Sequence, residues 1–476
     1  MKQAFLIVDL GGNSRVALVG TDGTLLAVRK KRSEYFPDND FSPHGTSFDA
    51  EKYKEIVFRF TREIIEEAGD VEIIAVSSTS QRQGIVLIGK DGSSLVGYPN
   101  LDSRGAEFYD QIQWDRIKEL SMLDPHPILS MVKFLGTTKR QKEVAEKTRY
   151  VTSISDWVGY LFTGKVVWEH SHAIHSAVYD IYQSKWAEEL CDCIGVSREV
   201  LPPLARAGDI MGPILPEVSA ITGIPDSAVF IVGGADTQLA IEGAQAEPGD
   251  VVIVNGTTTP IVTPVTSLVE SPFWLSTHVR ENEYMLEVNI GASGSNLDTL
   301  VRQLSPAKSL SAIEEEALGK GLPSCTAVFA TDMQIPRKTL SHGAFLIDNP
   351  LRDIRECDYI HAMILNIGFH IKTGLDILLE HIPIAGGKLI GTGGGFRGSI
   401  CAQAVADVTG IDLYIYENFD QATIVGCIRF CCEAMNIPPP KRVLKQIFKP
   451  SPSDQFIAYH ENWLKYRKTL QDAQGF

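Results

Sequence analysis

Apolar residues run along this chain in short unbroken blocks that stop at acids and glycines. Phe5–Val8 runs into Asp9 and a Gly11-Gly12 turn, Arg15–Val19 follows, and Thr24–Val28 comes after the cluster Thr21-Asp22-Gly23. Such blocks, separated by turn residues, predict a meander of three strands. The period then changes. Tyr53, Ile56, Val57, Phe60, Ile64 and Ile65 recur at helical spacing, with Asp49 placed to cap the start and Gly69 to end it. Ile73–Val76 returns to a continuous apolar strand, and Gly84–Ile88, Lys90-Asp91-Gly92 and Leu95–Gly97 read as a hairpin. Strands mixed with helices argue an α/β fold.

The opening pattern recurs. "PGDVVIVNGTTTPIVTPV" holds a strand at Val251–Val254, a turn at Asn255-Gly256-Thr257-Thr258 and a further strand at Pro260–Val262. Two copies about 245 residues apart imply a duplicated architecture. The 476 residues exceed one ordinary core. The small, polar stretch Gly243–Gly249 is the natural boundary, giving domains at 1–243 and 244–476. Four glycine-marked loops follow apolar strands: Asp9–Ser14, Gly233–Asp236, Asn255–Thr258 and Gly391–Gly395. Ligands gather at the carboxyl ends of strands in open α/β sheets. The expected geometry is therefore two lobes with these loops lining a cleft.

Composition narrows the partners. A net charge of −15 disfavours nucleic acid, and the short basic runs Arg29–Arg32 and Lys139-Arg140 read as solvated surface. The apolar run before Asp9 is too short for a signal segment. No uninterrupted apolar stretch reaches about 18 residues, so no membrane association is expected. The eight cysteines include no CxxC pair, and His170, His172 and His175 match no ligand spacing. Reduced thiols in a cytoplasmic protein are the expectation.

Each loop suits a different chemistry. Asn255-Gly256-Thr257-Thr258 offers backbone N–H groups and hydroxyls with no acid, a set fit for phosphate oxygens. The first loop lacks the Lys-Ser/Thr of a P-loop, and Asp9 repels an anion. A carboxylate there makes sense if Mg2+ lies between acid and phosphate; its plainer reading is an Asx-type turn. Asp236 ends the buried run "VFIVGGA". It can act as general base toward a substrate hydroxyl, or cap the helix over "TQLAIEGA", and both can hold at once. Gly393-Gly394-Gly395 turns into an amphipathic helix, where glycines admit a base or phosphate to the backbone or merely allow tight strand–helix packing. "SSTSQRQG", "NLDSRG" and "ISDW" supply Arg82, Asp102, Arg104 and Asp156 as candidates to grip hydroxyls or a carbonyl. Loop salt bridging is the alternative for each.

In this order the residues resemble the FGGY family of carbohydrate kinases across nearly the whole chain. The family's Asp-x-Gly-Thr-Thr/Ser-Ser motif is similar to Asp9-Leu10-Gly11-Gly12-Asn13-Ser14. Its Gly-Gly-x-Asp segment is similar to Gly233–Asp236, and its Gly-Thr-Ser/Thr loop to Gly256-Thr257-Thr258. Its adenosine segment resembles Gly393–Gly395 through Ala406-Asp407-Val408-Thr409-Gly410. The resemblance implies a two-lobed, duplicated ribonuclease-H-like (actin-like ATPase) fold with an interlobe cleft. It further implies ATP-dependent phosphorylation of a sugar or polyol hydroxyl, with Asp236 as base and Mg2+ near Asp9. ATP would lie on Gly11, Gly12, Asn13, Ser14, Gly256, Thr257, Thr258 and Gly393–Gly395. Within the family, "QRQGIVL", "NLDSRG", "ISDWVGYLFTGKVV" and "GGADTQLAIEGA" look most like autoinducer-2 kinases, which act on a small linear dihydroxy-dione. Arg82, Gln83, Asp102, Arg104, Asp156 and Asp236 would then face the substrate.

There are departures. Gly12 and Asn13 replace the usual Thr-Thr or Thr-Gly, and Gln83 stands where autoinducer-2 kinases have Glu. Lys133 in "SMVKF" fits the family signature, but Gly136 replaces an expected Trp. Another ketose, such as xylulose or ribulose, or a polyol such as glycerol, is the alternative substrate. A catalytically weak sugar- or nucleotide-binding regulator is the alternative class. The sequence leaves open whether the protein forms a homodimer.

Overall fold

The computed structural model describes residues 2–270, 273–329, 340, 342–347, 353–382 and 387–475. By contacts the chain divides into two units. The first comprises Met1–Gly243 with Thr266–Met285 and Thr423–Lys441; the second comprises Ala244–Val265, Leu286–Ala422 and Arg442–Phe476. Two later segments thus cluster with the first unit, and the division is not a single cut after Gly243.

The first unit holds β1 (Lys2–Leu10), β2 (Asn13–Gly20), β3 (Leu25–Arg32), β4 (Val71–Ser80), β5 (Ile85–Gly89), β6 (Ser94–Tyr98), β7 (Thr148–Ser153), β8 (Ile210–Pro213) and β9 (Val229–Ala235). Six of them form one sheet in the order β8-β9-β4-β1-β2-β3. β1 runs antiparallel to β2 and parallel to β4, β4 parallel to β9, and β9 antiparallel to β8. Both faces of β1 are covered, which explains its unbroken apolar run. Ala4, Leu6 and Val8 belong to a core with residues of α1 (Ala50–Ala68) and, further along the chain, Trp157, Val158 and Phe162. Phe5 and Ile7 belong to another core that includes Ile424, Cys427, Ile428 and Cys431. Those residues draw Thr423–Lys441 into this unit. Helix α1 starts at an Asp49 cap that accepts the Lys52 N–H and stops at Gly69. The basic run Arg29–Arg32 lies in β3, at the edge of the sheet, where Lys and Arg discourage pairing with another chain. β5, flanked by β6 and β7, forms a smaller sheet. Helices α2 (Ser130–Arg140), α3 (Ile154–Thr163) and α4 (Asp236–Ala244) complete what positions the site.

In the second unit, β10 (Val251–Val254) is antiparallel to β11 (Pro260–Val265) and parallel to β12 (Leu389–Thr392). β12 is parallel to β13 (Leu413–Tyr416), and β13 antiparallel to β14 (Leu444–Phe448). This is the strand order and polarity of β2-β1-β4-β9-β8, repeated. Helices α5 (Leu310–Lys320), α6 (Glu356–Leu379) and α7 (Ser399–Thr409) belong to this unit, and α8 (Ala422–Ala434) follows in the chain but clusters, from Thr423 on, with the first unit. Helix α6 is long and apolar enough to cross a membrane, but 72% of its apolar window is buried inside the protein, as in a core helix. All eight cysteines are buried and free.

Candidate functional site

The β1–β2 hairpin sets the first loop. Gly12 and Asn13 are exposed at its tip, while Gly11 O accepts the Ser33 hydroxyl (2.6 Å) and the Tyr35 hydroxyl (2.9 Å). Ser14 is buried, its hydroxyl 3.3 Å from that of Ser33. Hairpin register places Arg15 opposite Asp9, and the two form an ion pair. The Thr423 hydroxyl donates to Asp9 Oδ2 (3.2 Å) and accepts from Arg15 Nη2 (3.1 Å).

Asp236 stands where β9 ends and α4 begins. Its Oδ1 accepts the Thr237 N–H (2.7 Å) and hydroxyl (3.3 Å). Burial pushes its carboxyl up to about 6; Arg82 and Thr237 pull it down, and the charge of Asp9 pushes it further up. Asp9 and Asp236 are therefore near enough to repel. A hard carboxylate such as that of Asp9 could hold a divalent cation that keeps most of its waters and takes its other oxygens from a phosphate. Among the described residues no group of three or more His, Cys, Asp or Glu could hold a metal.

Behind Asp236 runs a chain of hydrogen bonds. The Ala235 N–H donates to the Ser171 hydroxyl (2.9 Å), which donates to Glu169 Oε2. Glu169 Oε2 also accepts the N–H groups of Ser171 (2.8 Å) and His172 (3.3 Å). The Glu169 N–H donates to Asp156 Oδ2 (2.9 Å), which also accepts the Ser153 hydroxyl (2.6 Å). Burial raises Asp156 to about 7 and Glu169 to about 8. His172 and His175 are buried, the His172 ring against the Gly234 backbone and the His175 ring with no hydrogen bond among the described residues. Burial lowers both, His172 to about 3, and the charge of Arg82 lowers them further. The His175 and His126 rings lie 5.9 and 6.3 Å from that of Trp274. Arg82, Asp236, two neutral imidazoles and an indole thus share one region.

Gln83 has a positive φ of 59°. Its carbonyl accepts Lys133 Nζ (2.9 Å) and the Ser130 hydroxyl (3.3 Å) from α2. Lys133, fully buried, also donates to Pro99 O (2.5 Å) and Asn100 O (3.2 Å), and burial lowers its amine to about 7. One amine therefore ties the Gln83 loop to the Asn100 loop. Asp102 and Arg104, 0% and 1% exposed, hold each other. Asp102 also accepts the Thr46 N–H (2.6 Å). Arg104 also reaches Asp38 (3.0 Å), Gln141 (2.8 Å) and the face of Tyr98 at 3.5 Å. Asp102, Arg104 and Asp156 were expected to grip substrate. All three are buried and engaged with neighbouring residues.

In the second unit two loops interlock. Asn255 O accepts the Gly395 N–H (2.9 Å), and the Asn255 N–H donates to Thr392 O (2.8 Å). A Cβ at Gly395 would lie 2.3 Å from the Asn255 side chain; one at Gly393, where φ is +92°, would lie 2.4 Å from Asn255 O. Only glycine fits either position. Asn255 Oδ1 accepts the Thr259 hydroxyl (3.1 Å), and Thr257 O accepts the Ser295 N–H (3.1 Å). Thr257 is exposed, and Gly256, Thr258 and Gly393–Gly395 are partly or fully so. Asn255–Thr258 and Gly393–Gly395 are thus brought together, as β10 and β12 are parallel neighbours.

Arg15, Thr423, Glu169, Ser171 and His175 were not singled out from sequence as site residues. Only Arg15 had a usable signal: six residues after Asp9 across a two-glycine tip, it must face Asp9 in a hairpin.

Residues 4–243 match the FGGY family of carbohydrate kinases, N-terminal domain. The chain belongs to that family. It is 34% identical over 481 residues to "Putative sugar kinase YoaC" of Bacillus subtilis (strain 168), covering 100% of this chain and 99% of that one. It is 22% identical over 457 residues to the autoinducer-2 kinase of Escherichia coli (strain K12), covering 90% of this chain and 85% of that one. Among solved structures, a ligand-bound xylulose kinase from Lactobacillus acidophilus superposes with a TM-score of 0.82 at 17% identity, covering 98% of each chain. Plasmodium falciparum glycerol kinase with ADP gives 0.81 at 16%, covering 99% of this chain and 98% of that one. This FGGY kinase has the family's two-domain, actin-like fold, and it is a phosphotransferase acting on sugar hydroxyls. Kinases of the family use ATP.

Proposed function

We propose that this kinase transfers the γ-phosphoryl group of ATP to a hydroxyl of a small, neutral, open-chain substrate, a dihydroxy-dione of the autoinducer-2 type or a close analogue. Asp236 carries the reading: a carboxyl raised to about 6, partly exposed at a strand end beside Arg82, is ionised at neutral pH yet basic enough to take a hydroxyl proton. Arg82 and Gln83 bind the substrate, and the amine of Lys133 fixes the backbone of Gln83. Asn255–Thr258 and Gly11–Asn13 present phosphate-binding backbone, and Gly393–Gly395 takes the adenosine. Asp9 is the group to hold Mg2+, which would neutralise charge on the transferring phosphoryl group. Reduced, buried thiols and dependence on ATP go with a cytoplasmic location.

A ketose substrate is the second reading, favoured by Gln83, which departs from the Glu that autoinducer-2 kinases carry at this position. The test is ADP release with Mg-ATP across linear diones, xylulose, ribulose, gluconate and glycerol. Turnover highest on the dione supports the first reading, and highest on a ketose the second. No turnover on any of them rejects both.

A further inference from the structure

Helix α5 carries Glu314-Glu315-Glu316, which by pattern reads as a solvated face. Glu315 is exposed, and Glu316 pairs with Lys308 (2.8 Å). Glu314 differs: it is 7% exposed and has no hydrogen bond or cation partner among the described residues. Its Oε2 lies where a side chain at Gly398 would begin, 1.5 Å from an ideal Cβ. Gly398 is the N-cap of α7 and supplies no side-chain cap. The carboxyl is also beside Cys401, whose sulfur accepts Asn255 Nδ2 (3.4 Å), and Asn255 O accepts the Gly395 N–H. Burial raises Glu314 to about 7. A buried carboxyl without donors is costly, yet the glycine loop is notched to admit it. An acid at this helix start also repels a phosphate, so the N-terminus of α7 is unsuited to the anion such termini usually attract. What the acid can take is an N–H or O–H donor, and those that a nucleoside offers are neutral.

We propose that Glu314 is the nucleoside-reading residue of the ATP site: its carboxyl, lodged between Gly398 and Cys401, accepts a hydrogen bond from a neutral donor of the nucleoside, either the exocyclic amine of the base or a ribose hydroxyl. This rests on the nucleotide assignment of Gly393–Gly395 above.

Calorimetric titration tests it with MgADP, with the Mg2+ complex of purine riboside diphosphate (no amine) and with that of 2′,3′-dideoxy-ADP. Glu314→Met keeps the bulk and removes the acceptor. It should weaken ADP about tenfold and leave unchanged the one analogue that lacks the donor being read. Indifference to purine riboside diphosphate assigns the base amine; indifference to the dideoxy analogue assigns the ribose. Glu314→Ala repeats the comparison should the Met variant not fold. Unchanged ADP affinity with a lowered melting temperature makes Glu314 a helix cap only and overturns the proposal, as does equal weakening of all three ligands. A wild-type chain that binds no ADP overturns the nucleotide assignment itself. One that binds ADP but phosphorylates no sugar removes only the substrate reading.

Discussion

The two units repeat one strand arrangement and place opposite chemistry at its ends. In the first, β1 and β9 end in charge: Asp9 locked to Arg15, and Asp236 near Arg82, backed by carboxyls and imidazoles that burial keeps neutral. In the second, β10 and β12 end in bare peptide, Asn255–Thr258 against Gly393–Gly395, with steric room only for glycine at key positions. Moving a proton requires a group whose pKa its surroundings set, whereas holding a polyphosphate requires backbone that can be approached closely. On the proposed function, one architecture would serve both because the strand ends, not the sheet, carry the chemistry.

That contrast can be broken by substitution. Asp102→Ala leaves the Arg104 guanidinium buried without its main partner and should cost about 3–5 kcal/mol of stability, read from the denaturant midpoint. If Asp102 were instead a substrate ligand, stability would hold and KM for the sugar would rise. Gly393→Ala forces a side chain into a backbone conformation with φ of +92° and against Asn255 O. It should cost about 1–3 kcal/mol and weaken ADP while leaving sugar binding intact. Equal loss of both ligands would show that the second unit's loop is not a separate nucleotide element. Gln83→Glu should reorder the substrate panel and leave KM for ATP within about twofold, since it changes one acceptor by a single charge. An unmoved panel would place Gln83 outside the substrate site.

A pH-dependent effect concerns Glu169. Its carboxyl titrates near 8 when folded against an ordinary 4.5, so the unfolded chain gives up its proton first. Stability therefore falls as pH rises from about 4.5 towards 8. Glu169→Gln should flatten that part of the melting-temperature profile. A wild-type profile already flat across this range would mean that Glu169 is ionised.

The glycine loops were legible in the sequence because apolar blocks ending in glycine can do little else, and the second copy at Val251 disclosed the repeat. The Asp49 cap and Gly69 stop were legible for the same local reason. What sequence hid was long-range. Thr423 reaches Asp9 across 414 positions. Ile424, Cys427 and Cys431 join the core of Phe5 and Ile7 from an ordinary-looking helix. Sequence shows the charges of Asp102 and Arg104 without showing that the two are paired. Ser171 looked like any loop serine until its hydroxyl was found under the Ala235 N–H.

In the proposed reaction the proton goes to Asp236. The most direct measurement is the pH profile of sugar-dependent ADP release for wild type and Asp236→Asn, with MgADP affinity determined alongside. Wild-type kcat/KM should fall as pH drops below about 6, because the base must be ionised. The variant should keep its affinity for ADP, lose about 10²–10⁴-fold in turnover and show no such acid limb. Near-normal turnover by Asp236→Asn, or a wild-type profile flat through pH 6, would contradict the assignment of Asp236 as the base.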